Sequence, residues 1–196
     1  MVDQPVAKTS LGADTIAYPL PVWVVGTYDA EGRANALTAA WVGVCCSDPP
    51  CVAVSVRKSR YSFAALLARR AFTVNVPSER YVREVDYLGL ASGRNVDKLA
   101  AMHLTPVRSE LVDAPYIAEF PLVIECRLLQ SIDLGVHTQF VGQIVDVKAD
   151  PAVLDEQGLP DMERIRPIVF ATKTYKYHGI GPAIASAFSA GKGAAK

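Results

Sequence analysis

The 196-residue chain balances 20 Lys plus Arg against 20 Asp plus Glu for a formal net charge of zero, with 51% apolar and 20% charged residues. Its length and mean hydropathy of +0.19 suit one domain over residues 1–196 with a substantial core, which excludes intrinsic disorder. Nucleic acid is excluded as a partner, because phosphate binding needs a basic excess and the one dense basic run is Arg57-Lys58-Ser59-Arg60.

No stretch reaches the roughly 20 apolar residues of a membrane span. Met1-Val2-Asp3-Gln4-Pro5 lacks the basic and apolar segments of a signal peptide, so a cytoplasmic protein without membrane association is expected.

Short, valine-rich runs bounded by turn residues predict strands. The first covers Pro21 to Tyr28, and Gly32 supplies positive φ in the hairpin turn Asp29 to Arg33. The returning strand starts near Asn35 and runs through Trp41 to Val44. Asp48-Pro49-Pro50 breaks it, since neither proline donates to a ladder. Cys51 to Arg57 is the next strand, with Ser55 and Arg57 on one face. Phe63, Leu66 and Leu67 predict a helix over residues 60–70, followed by a strand from Ala71 that Pro77 ends. Ser78 is placed to cap a helix through Tyr81, Val85 and Leu88, and residues 89–98 read as a loop.

Two longer strands cover residues 122–132 and 139–148, joined through Asp133 to His137. Residues 150–166 read as a polar connection, and residues 167–170 and 174–177 as short strands. In the tail, Ile180, Ile184 and Phe188 at four-residue spacing predict a short amphipathic helix, with residues 191–196 frayed. Many short strands with few helices favour a closed or partly closed antiparallel barrel over a doubly wound parallel sheet.

Cys45, Cys46, Cys51 and Cys126 lie in apolar surroundings without a C-x-x-C pair, and are expected to be buried, reduced thiols. No metal is expected: His103, His137 and His178 are far apart, and no metalloprotease, nucleophile-elbow or dinucleotide motif occurs. Two segments carry candidate chemistry. In Asn35-Ala36-Leu37-Thr38-Ala39-Ala40-Trp41, small residues around a hydroxyl let a flat ligand approach backbone N–H and C=O groups. The same residues equally describe a core strand with one buried Trp. In Ser55-Val56-Arg57-Lys58-Ser59-Arg60-Tyr61-Ser62, three cations, three serine hydroxyls and a helix start favour a phosphate monoester. The alternative is a solvated basic turn in which Ser59 or Ser62 caps the helix. A planar ring beside a phosphate describes a nucleotide or FMN.

Asn35-Ala36-x-Thr38-Ala39-x-Trp41, Ser47-Asp48-Pro49-Pro50, Val54-Ser55-Val56-Arg57-x-x-Arg60-x-Ser62 and Phe72-x-Val74-Asn75-Val76-Pro77 occur in that order. Gly89-x-x-Ser92-Gly93-x-x-x-Asp97-Lys98, Gly135-x-His137-x-x-Phe140-x-Gly142 and a tail with Ala187-Phe188-Ser189 follow. Over about residues 18–192 the chain resembles the flavin reductase-like family, and within it the flavoredoxin branch. The resemblance implies a mainly β, Greek-key-like split barrel with a few short helices, and non-covalent FMN at the interface of a homodimer. It implies that Asn35, Ala36, Leu37, Thr38 and Ala39 line the isoalloxazine, with Thr38 near its reactive edge. Ser55, Val56, Arg57, Arg60, Tyr61 and Ser62 would hold ribityl and phosphate oxygens, Asn75 and Lys98 would close the site, and His137 would meet the nicotinamide or the flavin face.

The activity so implied is hydride transfer from NADH or NADPH to FMN, with electrons passed on as free reduced flavin or to a protein acceptor. Ser62 stands where a threonine is common in the family, which keeps the hydroxyl. An electron carrier with tightly bound FMN is a variant of the same reading. A non-catalytic ligand-binding barrel is the alternative from another class.

Overall fold

The computed structural model describes residues 6–192, so the expectations for Met1 to Pro5 and for the frayed residues 193–196 lie outside the described residues. The strands are β1 (Leu20–Pro21), β2 (Trp23–Tyr28), β3 (Ala34–Ala39), β4 (Val42–Ser47), β5 (Pro50–Arg57), β6 (Ala71–Val76), β7 (Pro106–Arg108), β8 (Pro115–Ile117), β9 (Leu122–Asp133), β10 (His137–Ala149), β11 (Val169–Ala171) and β12 (Lys176–His178). The helices are α1 (Ser62–Arg69), α2 (Val82–Leu90), α3 (Lys98–Ala101) and α4 (Met162–Ile165).

Seven strands form one sheet in the order β3-β2-β6-β9-β10-β5-β4, every neighbouring pair antiparallel. Its two edge strands, β3 and β4, are consecutive in the chain and separated only by Ala40-Trp41. A two-residue link can join opposite edges only if the sheet curls until they meet, and this makes the fold a partly closed barrel. The strand expected to run from Asn35 through Val44 is therefore two strands, broken at Ala40-Trp41. Ser55 N–H donates to Trp41 O (2.9 Å) and pins that corner to β5.

Inward-facing residues of the curled sheet form one core, with Val25, Leu37, Val54, Phe72, Val74 and Phe140 at its centre. Helix α1 closes one end: Leu66 is buried there, and Phe63 meets Phe140 edge to face at 5.5 Å. Leu67, expected on the same face, is 44% exposed instead. Gly142 is required on the inner face, because a Cβ there would run into the Phe72 ring. The alternate residues Val24 and Ala36 point outward into a second core with Val85 and Leu88 of α2 and Leu99 of α3. The turn glycine Gly32 has φ +78°, as expected.

Other expectations change. Cys45 and Cys46 are exposed, because β4 is an edge strand; Cys51 and Cys126 are buried. The polar connection over residues 150–166 contains α4, and anchors through buried Val153 and Ile165. The tail forms turns rather than a helix, and Ile184 and Phe188 are each 99% exposed. Ile180 is half-buried, but Ile184 and Phe188 have no surface of the chain behind them, and so short a helix lacks the packing that would offset its nucleation penalty. Among the described residues no helix is long and apolar enough to cross a membrane.

Candidate functional site

The barrel corner, the end of β5 and α2 enclose a cavity of about 430 Å³. One wall is Leu37 to Trp41, and the opposite wall is Asp86, Gly89 and Leu90 of α2 with Phe170, Tyr175 and Tyr177. As a sheet edge, β3 leaves one row of backbone N–H and C=O groups without a strand partner. Thr38 lines the cavity, but its hydroxyl donates to Val85 O (2.5 Å), so it fastens β3 to α2. Ala39, Ser55 and Val56 also border it, and a Cβ at Gly89 would come within 3.4 Å of Thr38 Cβ. Gly89 thus lets α2 approach β3 closely at Thr38.

Trp41 is 41% exposed at the cavity mouth and stacks on His137, with ring centroids 6.0 Å apart and planes 13° apart. His137 opens β10 directly opposite Arg57. Burial and the Arg57 guanidinium hold its pKa below the usual histidine value, so the ring is neutral at pH 7.

An adjoining cavity of about 220 Å³ shares Leu37, Arg57 and Arg60 with the first. Its lining includes four cations, Arg57, Arg60, Arg94 and Lys98, and no carboxylate. Among the described residues none of the four forms an ion pair. Arg60 and Arg94 are steered by single bonds to Gly89 O (3.2 Å) and Ser59 O (3.3 Å). Asp97 caps α3 by accepting from Ala100 N (3.0 Å), which sets Lys98 at the helix start; its Nζ donates to Leu88 O (2.9 Å). Lys98 is buried, and desolvation, with Arg60 nearby, lowers its pKa to about 8.

Asn35 Nδ2 donates to Ser62 Oγ (2.7 Å), both side chains being buried at the cavity floor. Neither serine caps α1: its N-cap position is Tyr61, without a side-chain cap bond. Tyr61 donates to Asp29 Oδ2 (2.9 Å) and accepts from Arg33 Nη2 (3.2 Å), so its hydroxyl serves the β2–β3 hairpin while its ring lines the cavity. Gly93 completes the floor, because a Cβ there would sit 2.5 Å from Asn35 Oδ1 and 2.6 Å from the Tyr61 ring.

The structure thus brings Asn35, Leu37, Thr38, Ala39, Ser55, Val56, Arg57, Arg60, Tyr61, Ser62, Lys98 and His137 to one place. Two expected residues stand apart. Ala36 faces the second core against α2, on the opposite side of β3 from Leu37. Asn75 is fully buried in the barrel wall; its Nδ2 donates to Val24 O (2.9 Å) and Thr73 Oγ1 (3.0 Å), and its Oδ1 accepts from Ile117 N (2.9 Å). Its amide ties β6 to β2 and β8, and it does not close the site.

Sequence reasoning missed Asp86, Tyr175 and Tyr177. Tyr177 donates to Asp86 Oδ1 (2.9 Å), and burial together with that bond pushes the phenol up to about 12. The available signals were the positions of Asp86, Gly89 and Leu90 on one side of α2 and the alternation of Tyr175 and Tyr177. Among the described residues no group of three or more His, Cys, Asp or Glu side chains could hold a metal ion.

A model of the flavin reductase like domain matches residues 15–179. The chain belongs to that family. Similar solved structures include the flavoredoxin of Desulfovibrio vulgaris (Miyazaki F), 50% identical with a TM-score of 0.91, covering 95% of this chain and 100% of that one. A flavoredoxin of Methanosarcina acetivorans is 29% identical with a TM-score of 0.86, covering 96% and 98%. An FMN-binding protein of Thermus thermophilus with bound 1-cyclohex-2-enone is 27% identical with a TM-score of 0.77, covering 93% and 99%. Within the family the chain shares the flavoredoxin branch and the split-barrel fold.

Proposed function

We propose that this flavin reductase-like protein binds FMN, receives electrons from NADH or NADPH and passes them onward. The observation that carries the reading is the pairing of a slot between β3 and α2 with an adjoining, carboxylate-free cationic cavity. FMN has two matching ends, a planar ring system and a phosphate monoester. The FMN-binding neighbour from Thermus thermophilus and the two flavoredoxins support the same cofactor.

In this reading Arg57, Arg60 and Lys98 balance the phosphate charge, and the Asn35–Ser62 pair and Gly93 shape the floor beneath it. The free edge of β3, from Leu37 to Ala39, offers backbone groups to the ring heteroatoms. Bound FMN supplies two-electron acceptance and release, chemistry that needs no protein nucleophile. Trp41 and neutral His137 wall the mouth without placing a second positive charge beside Arg57.

The 50% identity to a flavoredoxin over nearly the whole chain favours a second reading, an electron carrier that keeps its FMN and exchanges electrons with a protein partner. Rapid mixing of the FMN-loaded protein with NADH or NADPH separates the two. Bleaching of the flavin band by either nucleotide, with turnover when free flavin is added, supports the reductase; an unreduced but fully occupied protein supports the carrier. A protein that retains no FMN overturns both.

We also propose a homodimer; the reading is supported by exposed apolar side chains towards the end of the β9–β10 hairpin, where Leu129, Leu134 and Val136 are 55%, 61% and 68% exposed. A second copy that covers this patch removes it from water. Light scattering at twice the 21.1 kDa chain mass supports the dimer, and the chain mass itself refutes it.

A further inference from the structure

The β4–β5 hairpin carries Cys45, Cys46 and Cys51, and none of them lines either cavity. Asp48-Pro49 makes the turn, with Ser47 opposite Pro50 and Cys46 opposite Cys51. Directly opposed residues of an antiparallel pair share a face, with Cα atoms about 4.5–5.5 Å apart, inside the range of about 4.4–6.8 Å that a disulfide spans. Cys45 has no such partner, because the register shifts between Val44 and Cys46 and leaves it unopposed.

The two opposed thiols differ in access. Cys46 is exposed, whereas Cys51 is 2% exposed. Burial, with the thiols of Cys46 and Cys45 nearby, raises the Cys51 pKa above the usual thiol value. Of the opposed pair, an oxidant from solution therefore meets Cys46 first, and Cys51 waits beside it as a protonated thiol. Cys126 is fully buried on β9, with its pKa pushed up to about 12, and takes no part.

We infer that Cys46 and Cys51 form a peroxide-responsive thiol pair that closes a disulfide across the β4–β5 hairpin. The Cys46 thiolate attacks hydrogen peroxide: an S–O bond forms, the O–O bond breaks, and hydroxide leaves. Cys51 sulfur then attacks the Cys46 sulfenic sulfur: an S–S bond forms, the S–O bond breaks, and the hydroxyl leaves as water with the Cys51 proton. The two thiols lose two electrons, and peroxide is reduced to water. The bridge fastens edge strand β4 to β5, and β4 begins immediately after Trp41 of the cavity wall.

The test is the intact mass and thiol count of the purified full chain after a small excess of hydrogen peroxide. The expected result is a mass loss of about 2 Da, reversed by dithiothreitol. Free thiols fall from four to two. Cys45→Ser retains the loss, whereas Cys46→Ser and Cys51→Ala each abolish it. Cys46 is exposed, so its variant tests the chemistry even if Cys51→Ala folds poorly. Slower amide exchange across β4 after oxidation is the second readout. Gain of oxygen without the 2 Da loss, a bridge that disappears in Cys45→Ser, or a covalent dimer overturns the inference. No flavin is required, so the outcome is independent of FMN binding.

Discussion

Lys98 is 4% exposed and, among the described residues, its ammonium has one hydrogen-bond partner, Leu88 O at 2.9 Å, in a cavity whose described lining has no carboxylate. Its pKa falls from 10.5 unfolded to about 8 folded. The unfolded chain therefore binds more protons between those values, so this residue makes the ligand-free protein least stable below about pH 8. Stability rises as pH increases through the window. The gap of about 2.5 units (10.5 − 8), at about 1.36 kcal/mol per unit, amounts to about 3 kcal/mol at pH 7. Lys98→Met removes the charge, keeps most of the stem and loses a charge-assisted hydrogen bond to Leu88 O of about 2 kcal/mol, leaving a gain of about 1 kcal/mol. Urea unfolding of wild type and variant at pH 7 measures it, and repetition above pH 10.5 erases the gain. FMN affinity moves the other way, falling roughly ten- to hundredfold with the loss of a charge-assisted bond of about 1.5–3 kcal/mol. An unchanged urea midpoint refutes the desolvation argument, and unchanged FMN affinity refutes the placement of Lys98 at the phosphate.

Arg57→Ala combined with Arg60→Ala weakens FMN by about 3–6 kcal/mol if both guanidinium groups meet the phosphate, as measured by quenching of flavin fluorescence on titration. Gly93→Ala forces a Cβ against Asn35 Oδ1 and the Tyr61 ring, and lowers stability by roughly 1–3 kcal/mol in a denaturant series. Tyr177→Phe removes the bond to Asp86 Oδ1 and reduces stability by about 1 kcal/mol at pH 7, while FMN titration shows whether the freed carboxylate disturbs the slot.

The local pattern carried much of this architecture. Valine-rich runs broken by Gly32 and by Pro49-Pro50 marked the strands, and the density of Arg57 and Arg60 after β5 marked the cationic cavity. What the pattern lacked was information about non-local partners. No proline or turn residue stands at Ala40-Trp41 within the run from Asn35 to Val44, yet barrel closure places its two halves on opposite edges, so the break there is a property of the curl. Cys45 and Cys46 have apolar neighbours in sequence and still face solvent, because their strand has a partner on one side only. Asn75 and Lys98 were both buried polar residues; only the fold decides that one spends its amide on Val24, Thr73 and Ile117 while the other opens into a cavity. Asp86 and Tyr177 lie 91 positions apart and meet through α2 and β12, beyond the reach of any local motif.

The central claim is that slot and cationic cavity together bind one FMN per chain. Titrating the ligand-free protein with FMN and following flavin fluorescence and visible absorption tests it most directly. The account predicts saturable binding at one FMN per chain, with riboflavin, which lacks the phosphate, bound at least tenfold more weakly. Equal affinity for FMN and riboflavin, or no binding of either, would contradict it.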